Sequence, residues 1–262
     1  MTAPQLFHLT RGQAPILVSF PHSGTYLPPE IAANMTDIAK TVPDTDWHVP
    51  KLYAFLDAIG ASRIEATHSR YVTDLNRPPD DKELYAGQKT TCLVPSETFR
   101  GERIYRADQS PTGEEILARQ RYWVPYHDAL AQEIKRLKAI HGSIILWDAH
   151  SIESEMPSLF EGRLPDLNLG TYDGKSCDAD VVAAAVDVAK SSPFSVVLNG
   201  RFKGGYITRH YGAKKQGVQA IQLEMAQSIY MTEGTPFTLH PERAAKVTTT
   251  IRAMIHAALE AM

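Results

Sequence analysis

The sequence predicts an α/β fold: a three-layer sandwich with helices on both faces of a mixed, largely parallel sheet. Three observations lead there. Short apolar runs bounded by turn residues alternate with longer stretches of helical spacing. Several apolar runs give way to polar, chemistry-bearing residues, and open α/β sheets gather ligands at the carboxyl ends of their strands. The 262 residues, 43% of them hydrophobic, suit one large domain or two small ones. No repeat and no low-complexity linker divides them, so residues 1–262 are read as a single domain.

In chain order, "PILVSF" (15–20) is a short apolar run stopped by Pro21, a buried strand. In "WHVPKLYAFLDAIG" (47–60), Val49, Leu52, Phe55, Leu56 and Ile59 recur at helical spacing, and Gly60 is a stop signal. "SRIEAT" and "YVTDL" read as strands. Residues 82–111, rich in Thr, Gly, Pro and charge, read as a long excursion of the kind that often serves function. Residues 113–142 carry the longest helical pattern, which Pro125 is expected to kink or divide. "GSIILWDAHS" (142–151) is a strand, "DADVVAAAVDVAKS" a helix, and "FSVVLNG", "YITRHYG" and "VQAIQLEMA" are strands. An amphipathic helix over 241–262 closes the chain.

Composition narrows the function classes. The net charge of −3 gives no basic surface for nucleic acid. Cys92 and Cys177 are isolated, which argues against a disulfide framework and for a reducing compartment. The N-terminus lacks a signal-peptide pattern, and no run is long and apolar enough to span a bilayer. A cytoplasmic protein is expected, acting on a small molecule rather than on nucleic acid or a membrane; nothing indicates its oligomeric state.

The chemistry collects at four places: His22 after the first strand, Asn76 and Arg77 after "YVTDL", Asp148 and His150 in "IILWDAH", and Glu224 inside "AIQLEMA". Two histidines and a carboxylate are the parts of a catalytic zinc site, which takes three protein ligands and keeps a fourth position open. His22 and His150 are the nitrogen candidates. Asp46 is the first choice of carboxylate, with Asp44 and Glu30 as alternatives. Asp148 shares a strand face with His150 and is placed to orient it without binding metal. Glu224, sunk in an apolar strand, is the candidate general base. Arg77 is placed to stabilise an oxyanion. Arg201, Lys203 and Arg209, set among glycines in "NGRFKGGYITRHYG", suit an acidic ligand. Each has a bland alternative: strand-end histidines are usually hydrogen-bonded bystanders, Asp46 alone is a helix cap, and a lone buried glutamate is often half of an ion pair. No G-x-S-x-G elbow, G-x-G-x-x-G loop, P-loop or H-E-x-x-H is present.

Taken together, "PHSG", "PDTDWHVPKLY", "SRYVTDLNRP", "LWDAHSI", "LPDLNLGT", "NGRFKGGYITRHYG" and "QLEM" resemble the N-formylglutamate amidohydrolase family over nearly the whole chain. The resemblance implies a zinc-exopeptidase-like fold and one divalent metal, zinc, per chain. It implies cleavage of N-formyl-L-glutamate to formate and L-glutamate, at the end of a route of histidine degradation. By motif match it implies His22, Asp46 and His150 as metal ligands, Glu224 as the catalytic carboxylate, and Asn76 and Arg77, with Arg209, as substrate contacts. The glutamate that the wider carboxypeptidase group carries three residues after the first histidine is replaced by Thr25. A related deacylase with a different N-acyl amino acid is the alternative; a catalytically silent sensor would need neither Glu224 nor the metal set.

Overall fold

Nine consecutive buried residues, Ile144–Ile152, form the central strand of the sheet. The structure, a computed structural model, describes residues 3–82, 84 and 91–262. Among these, seven strands form one sheet: β1 (Phe7–Thr10), β2 (Ile16–Phe20), β3 (Ser62–Ala66), β4 (Ile144–Ile152), β5 (Leu167–Gly170), β6 (Val196–Leu198) and β7 (Val218–Ala226). Their order is β1-β3-β2-β4-β7-β5-β6. β3, β2, β4 and β7 run parallel, β5 opposes β7, and β1 opposes β3. The sheet is therefore mixed with a parallel centre, as the sequence predicts. Strands buried on both faces need near-continuous apolar residues, which is why "IILW" and "AIQL" read so clearly.

The helices are α1 (Pro29–Ala32), α2 (Asp37–Lys40), α3 (Val49–Leu52), α4 (Gly113–Ala118), α5 (Gln120–His141), α6 (Ala179–Lys190), α7 (Tyr206–Tyr211) and α8 (Pro241–Glu260). Strand alternation sorts the layers. Ile145, Trp147 and Ala149 join Ile221, Leu223 and Met225 in the cluster formed with α6 and α8. Ile144, Leu146 and Ala220 face the other way, into the cluster formed with α5. By the same parity Asp148, His150, Gln222 and Glu224 continue the α5 face toward the carboxyl end, so polar chemistry lies on one side of the central strands. A third cluster, with Ile31, Met35, Val94, Ile104 and Tyr105, anchors α1, α2 and part of the 82–111 excursion. Residues 83 and 85–90 of that excursion lie outside the described residues. Residues 91–111 contain no helix or multi-residue strand.

Several elements differ from expectation. The 47–60 pattern is not one helix: α3 ends at Leu52 and a 3₁₀ turn covers Ala54–Leu56. Helical spacing alone lacks the caps that would hold a longer helix there; the first cap residue, His48, is left-handed. "YVTDL" is a turn, because the Asp74 side chain accepts the Asn76 N–H at 2.9 Å and competes with any strand ladder. "YITRHYG" is the helix α7 rather than a strand. Its first donors are met by Asn76, whose backbone O accepts from Tyr206 N at 3.2 Å and whose Oδ1 accepts from Ile207 N at 2.8 Å. That cap comes from 130 residues away in sequence and overrides β propensity. The 113–142 pattern divides at Arg119, and Pro125 lies within an unbroken α5. β1 (FHLT) and β5 (LNLG) contain no continuous apolar run, and the sequence does not announce them. No helix among the described residues is long and apolar enough to cross a membrane.

Candidate active site

His22 follows β2 by two residues, and its carbonyl accepts from Asp46 N at 3.0 Å, which brings the Asp46 turn to the end of that strand. His150 sits in β4, next to β2. Asp46 Oδ2 lies 3.8 Å from His22 Nδ1 and 3.0 Å from His150 Nδ1. One donor atom from each residue lies within 4.8 Å of the others, and all three residues are buried. Tetrahedral zinc with bonds of about 2.0–2.1 Å would set its donors about 3.3 Å apart. Two imidazoles and a carboxylate at these separations fit a divalent cation. The alternatives are elsewhere. Asp44 accepts from Tyr71 Oη at 2.7 Å and Phe99 N at 2.8 Å. Glu30 is exposed and pairs with Arg121.

Both histidines turn Nδ1 toward Asp46 because a carboxylate holds the opposite nitrogen. Asp74 Oδ1 lies 2.7 Å from His22 Nε2, and Asp148 Oδ2 lies 3.0 Å from His150 Nε2. Asp74 is fully buried. Burial raises its pKa, but Arg70 and His22 outweigh that and hold it well below the usual carboxylate range. An ionised carboxylate only accepts, so His22 carries its proton on Nε2 and presents a lone pair at Nδ1. Burial, then Arg70, lowers the His22 pKa and keeps the ring neutral, as a ligand must be. At His150, burial lowers the pKa but Asp148 and Asp46 push it well up. Those carboxylates favour positive charge at the spot a cation would take. Asp74→Asn is expected to weaken metal binding by ~10–100-fold, the usual effect of removing such an orienting partner. Competition against a chromogenic chelator measures this, and unchanged affinity would remove Asp74 from the site.

Glu224 stands in β7 directly beside His150 in the parallel register. Burial raises its pKa, partly opposed by His150. It lines one cleft with His22, Asp46 and His150, about 610 Å³ of empty space counted to its open mouth. Arg70, Asn76, Arg77, Phe99, Arg201 and Gly205 also line it. Arg77 donates from Nε to Thr91 O at 2.8 Å, and Arg201 from Nε to Leu159 O at 2.9 Å. Asn76 lines the cleft, yet its side chain is engaged internally: Nδ2 donates to Asp148 Oδ2 at 3.1 Å and lies 2.9 Å from His150 Nε2. A Cβ on Gly205 would meet Asn76 Nδ2 at 2.4 Å, so glycine there leaves room for that amide. Arg209 does not line the cleft; it donates to Gly204 O and Leu84 O and stacks over Tyr172. Lys203 pairs with Asp173, also outside the cleft.

Two charged residues of the site escaped sequence reasoning, Asp74 and Arg70. Arg70 is buried, donates to Asp74 Oδ2 at 2.6 Å, and lies over the Phe99 ring at 4.6 Å. Burial opposes its charge, but Asp74, Asp46 and Asp44 hold the guanidinium protonated. The signal was an arginine and an aspartate four apart in the otherwise uncharged "SRYVTDL", charges that burial forbids unless they are paired.

A family model described as N-formylglutamate amidohydrolase matches residues 14–231. The N-formylglutamate deformylase of Pseudomonas aeruginosa is 48% identical over 260 residues, covering 97% of this chain and 96% of its own. That of Pseudomonas putida is 46% identical over 258 residues, covering 97% and 94%. Among solved structures, an N-formylglutamate amidohydrolase from Ralstonia eutropha JMP134 aligns with a TM-score of 0.82 at 24% identity, over 96% of this chain and 98% of that one. A gene product of Agrobacterium tumefaciens aligns at 0.76 and 16%, over 98% and 96%. At those identities the structures speak for the fold alone. With a family model spanning most of its length and two relatives near half identical over almost all of it, this chain belongs to the N-formylglutamate amidohydrolase family.

Proposed function

We propose that the chain is a metal-dependent hydrolase converting N-formyl-L-glutamate and water to formate and L-glutamate. One observation carries the mechanism: a buried carboxylate, Glu224, in register with His150, in a cleft that also holds His22, Asp46 and three arginines. His22, Asp46 and His150 would hold one divalent ion per chain, and the N₂O donor set suits zinc. When bound, such an ion supplies Lewis acidity to a water and to the formyl carbonyl.

The protein's own groups do the rest. Glu224 accepts a proton from the water as the water oxygen bonds to the formyl carbon. It then gives that proton to the amide nitrogen, the C–N bond breaks, and formate and glutamate separate. A raised pKa suits a carboxyl that must both take and return a proton. Arg77, the sequence's candidate for this role, and Arg70 both line the cleft and are the cations available to the carbonyl oxygen as it turns anionic. Arg77 and Arg201 supply cations for the two carboxylates of glutamate. The substrate is thus a small acidic metabolite. The reaction is assigned to the end of a histidine-degradation route in the cytoplasm, a reducing compartment in keeping with the free cysteines Cys92 and Cys177.

Formate release from a panel of N-acyl amino acids tests this reading. N-formylglutamate should be the best substrate, with N-acetylglutamate down by ~10–200-fold in kcat/KM for its added methyl and N-succinylglutamate lower still. Equal turnover of the acetyl compound would move the assignment to a broader deacylase.

A further inference from the structure

We infer that Trp123 and His127, one turn apart on α5, are positioning residues that fix the cleft segment Asn76–Arg77. The inference rests on the substrate reading above. Trp123 Nε1 donates to Arg77 O at 3.0 Å, and His127 Nε2 lies 2.8 Å from Leu75 O. A carbonyl only accepts, so His127 carries its proton on Nε2. Its Nδ1 is then the acceptor for Tyr211 Oη at 2.9 Å. Burial pushes the His127 pKa down to about 3, in keeping with a neutral ring. The two rings stack with centroids 3.7 Å apart and planes 21° apart, and both residues are buried. Neither lines the cleft.

The carbonyls on either side of Asn76 are therefore gripped by one rigid aromatic pair from the layer behind. Residues 75–77 belong to no helix or strand; Asn76 is held by Asp74, Tyr206 and Ile207, and the aromatic pair holds the carbonyls on either side of it. Between the gripped carbonyls stands the Asn76 amide, against Asp148 and His150, and next to it the Arg77 side chain in the cleft. Displacing a substrate-positioning group by as little as ~1 Å can cost ~10²-fold in rate. A purely structural role for the pair, satisfying two carbonyls, would affect stability and nothing else.

The test uses the metal-loaded full chain. Trp123→Phe and His127→Phe each keep a ring and remove a donor. Each should raise KM for N-formylglutamate by ~10-fold, with metal content at the wild-type level and kcat within ~3-fold. His127→Gln, which retains an N–H donor, should restore much of the loss. In an Arg77→Lys background, Trp123→Phe should add little further, because it acts through Arg77. An unchanged KM alongside a lowered Tm would overturn the inference, as would full additivity with Arg77→Lys. If His127→Phe fails to fold, Trp123→Phe alone carries the test. If the wild type releases no formate from N-formylglutamate, the substrate reading falls, and the same KM ratios are read on whichever panel compound it hydrolyses.

Discussion

Glu224→Gln should lower kcat by about 10³-fold while leaving the metal in place, within the range expected for loss of a positioned general base. Gln keeps the shape of the side chain in β7 and its polar contact with Gln222, 3.5 Å away, but it cannot take a proton from water. Glu224 is not among the three candidate ligands, so metal analysis should read the same in variant and wild type. A variant within 10-fold of wild type in kcat would remove Glu224 as the base. The pH profile gives a second reading. The base works ionised, and burial raises its pKa, so wild-type kcat/KM should fall as pH drops through a value above the usual carboxylate range. The residual rate of the variant should lack that limb.

Stability should move the other way. In the unfolded chain Glu224 ionises near 4.5, and in the folded chain only at higher pH. Between those values the folded state binds more protons, so its stability falls as pH rises, and the loss is in force at neutral pH. Gln removes this liability. Metal-free Glu224→Gln should therefore melt above metal-free wild type at pH 7. A rise in Tm combined with a loss of turnover marks a residue retained for chemistry rather than for folding.

What could be read from the sequence followed the range of the interactions concerned. β4 and β7 announce themselves because a strand buried on both faces has almost no choice but apolar residues, and the titratable exceptions, Asp148, His150 and Glu224, then stand out. The parity of those exceptions also places them on one face without further information. Asp74 and α7 were hidden for one reason: each takes its conformation from distant partners. Asp74 gives up a strand to hold His22 and Arg70, and α7 begins where Asn76 meets its first donors. Local propensity carries no trace of either contact. Arg201 and Arg209 show the same limit from the other side, since both come from one glycine-rich stretch and only Arg201 reaches the cleft.

His150→Ala should abolish both metal binding and formate release. His150 alone among the candidate ligands sits in the middle of the sheet, clamped between Asp46 at Nδ1 and Asp148 at Nε2. Removing it takes away one donor of three and leaves two buried carboxylates facing a gap, an arrangement that disfavours folding as well as binding. Metal content and thermal shift separate those effects. A ligand at about 1,000 times its Kd stabilises the folded state by about 4.1 kcal/mol, which is on the order of 10 °C for a chain of this size. Wild type stripped of metal should recover a shift of that order when zinc is added back, and His150→Ala should show almost none. The residual histidine and aspartate cannot substitute, because His22 and Asp46 alone leave a two-donor site open to water. Undiminished formate release from metal-stripped His150→Ala would end the metal-dependent reading, since no other group of three His, Cys, Asp or Glu side chains placed to hold an ion is found among the described residues.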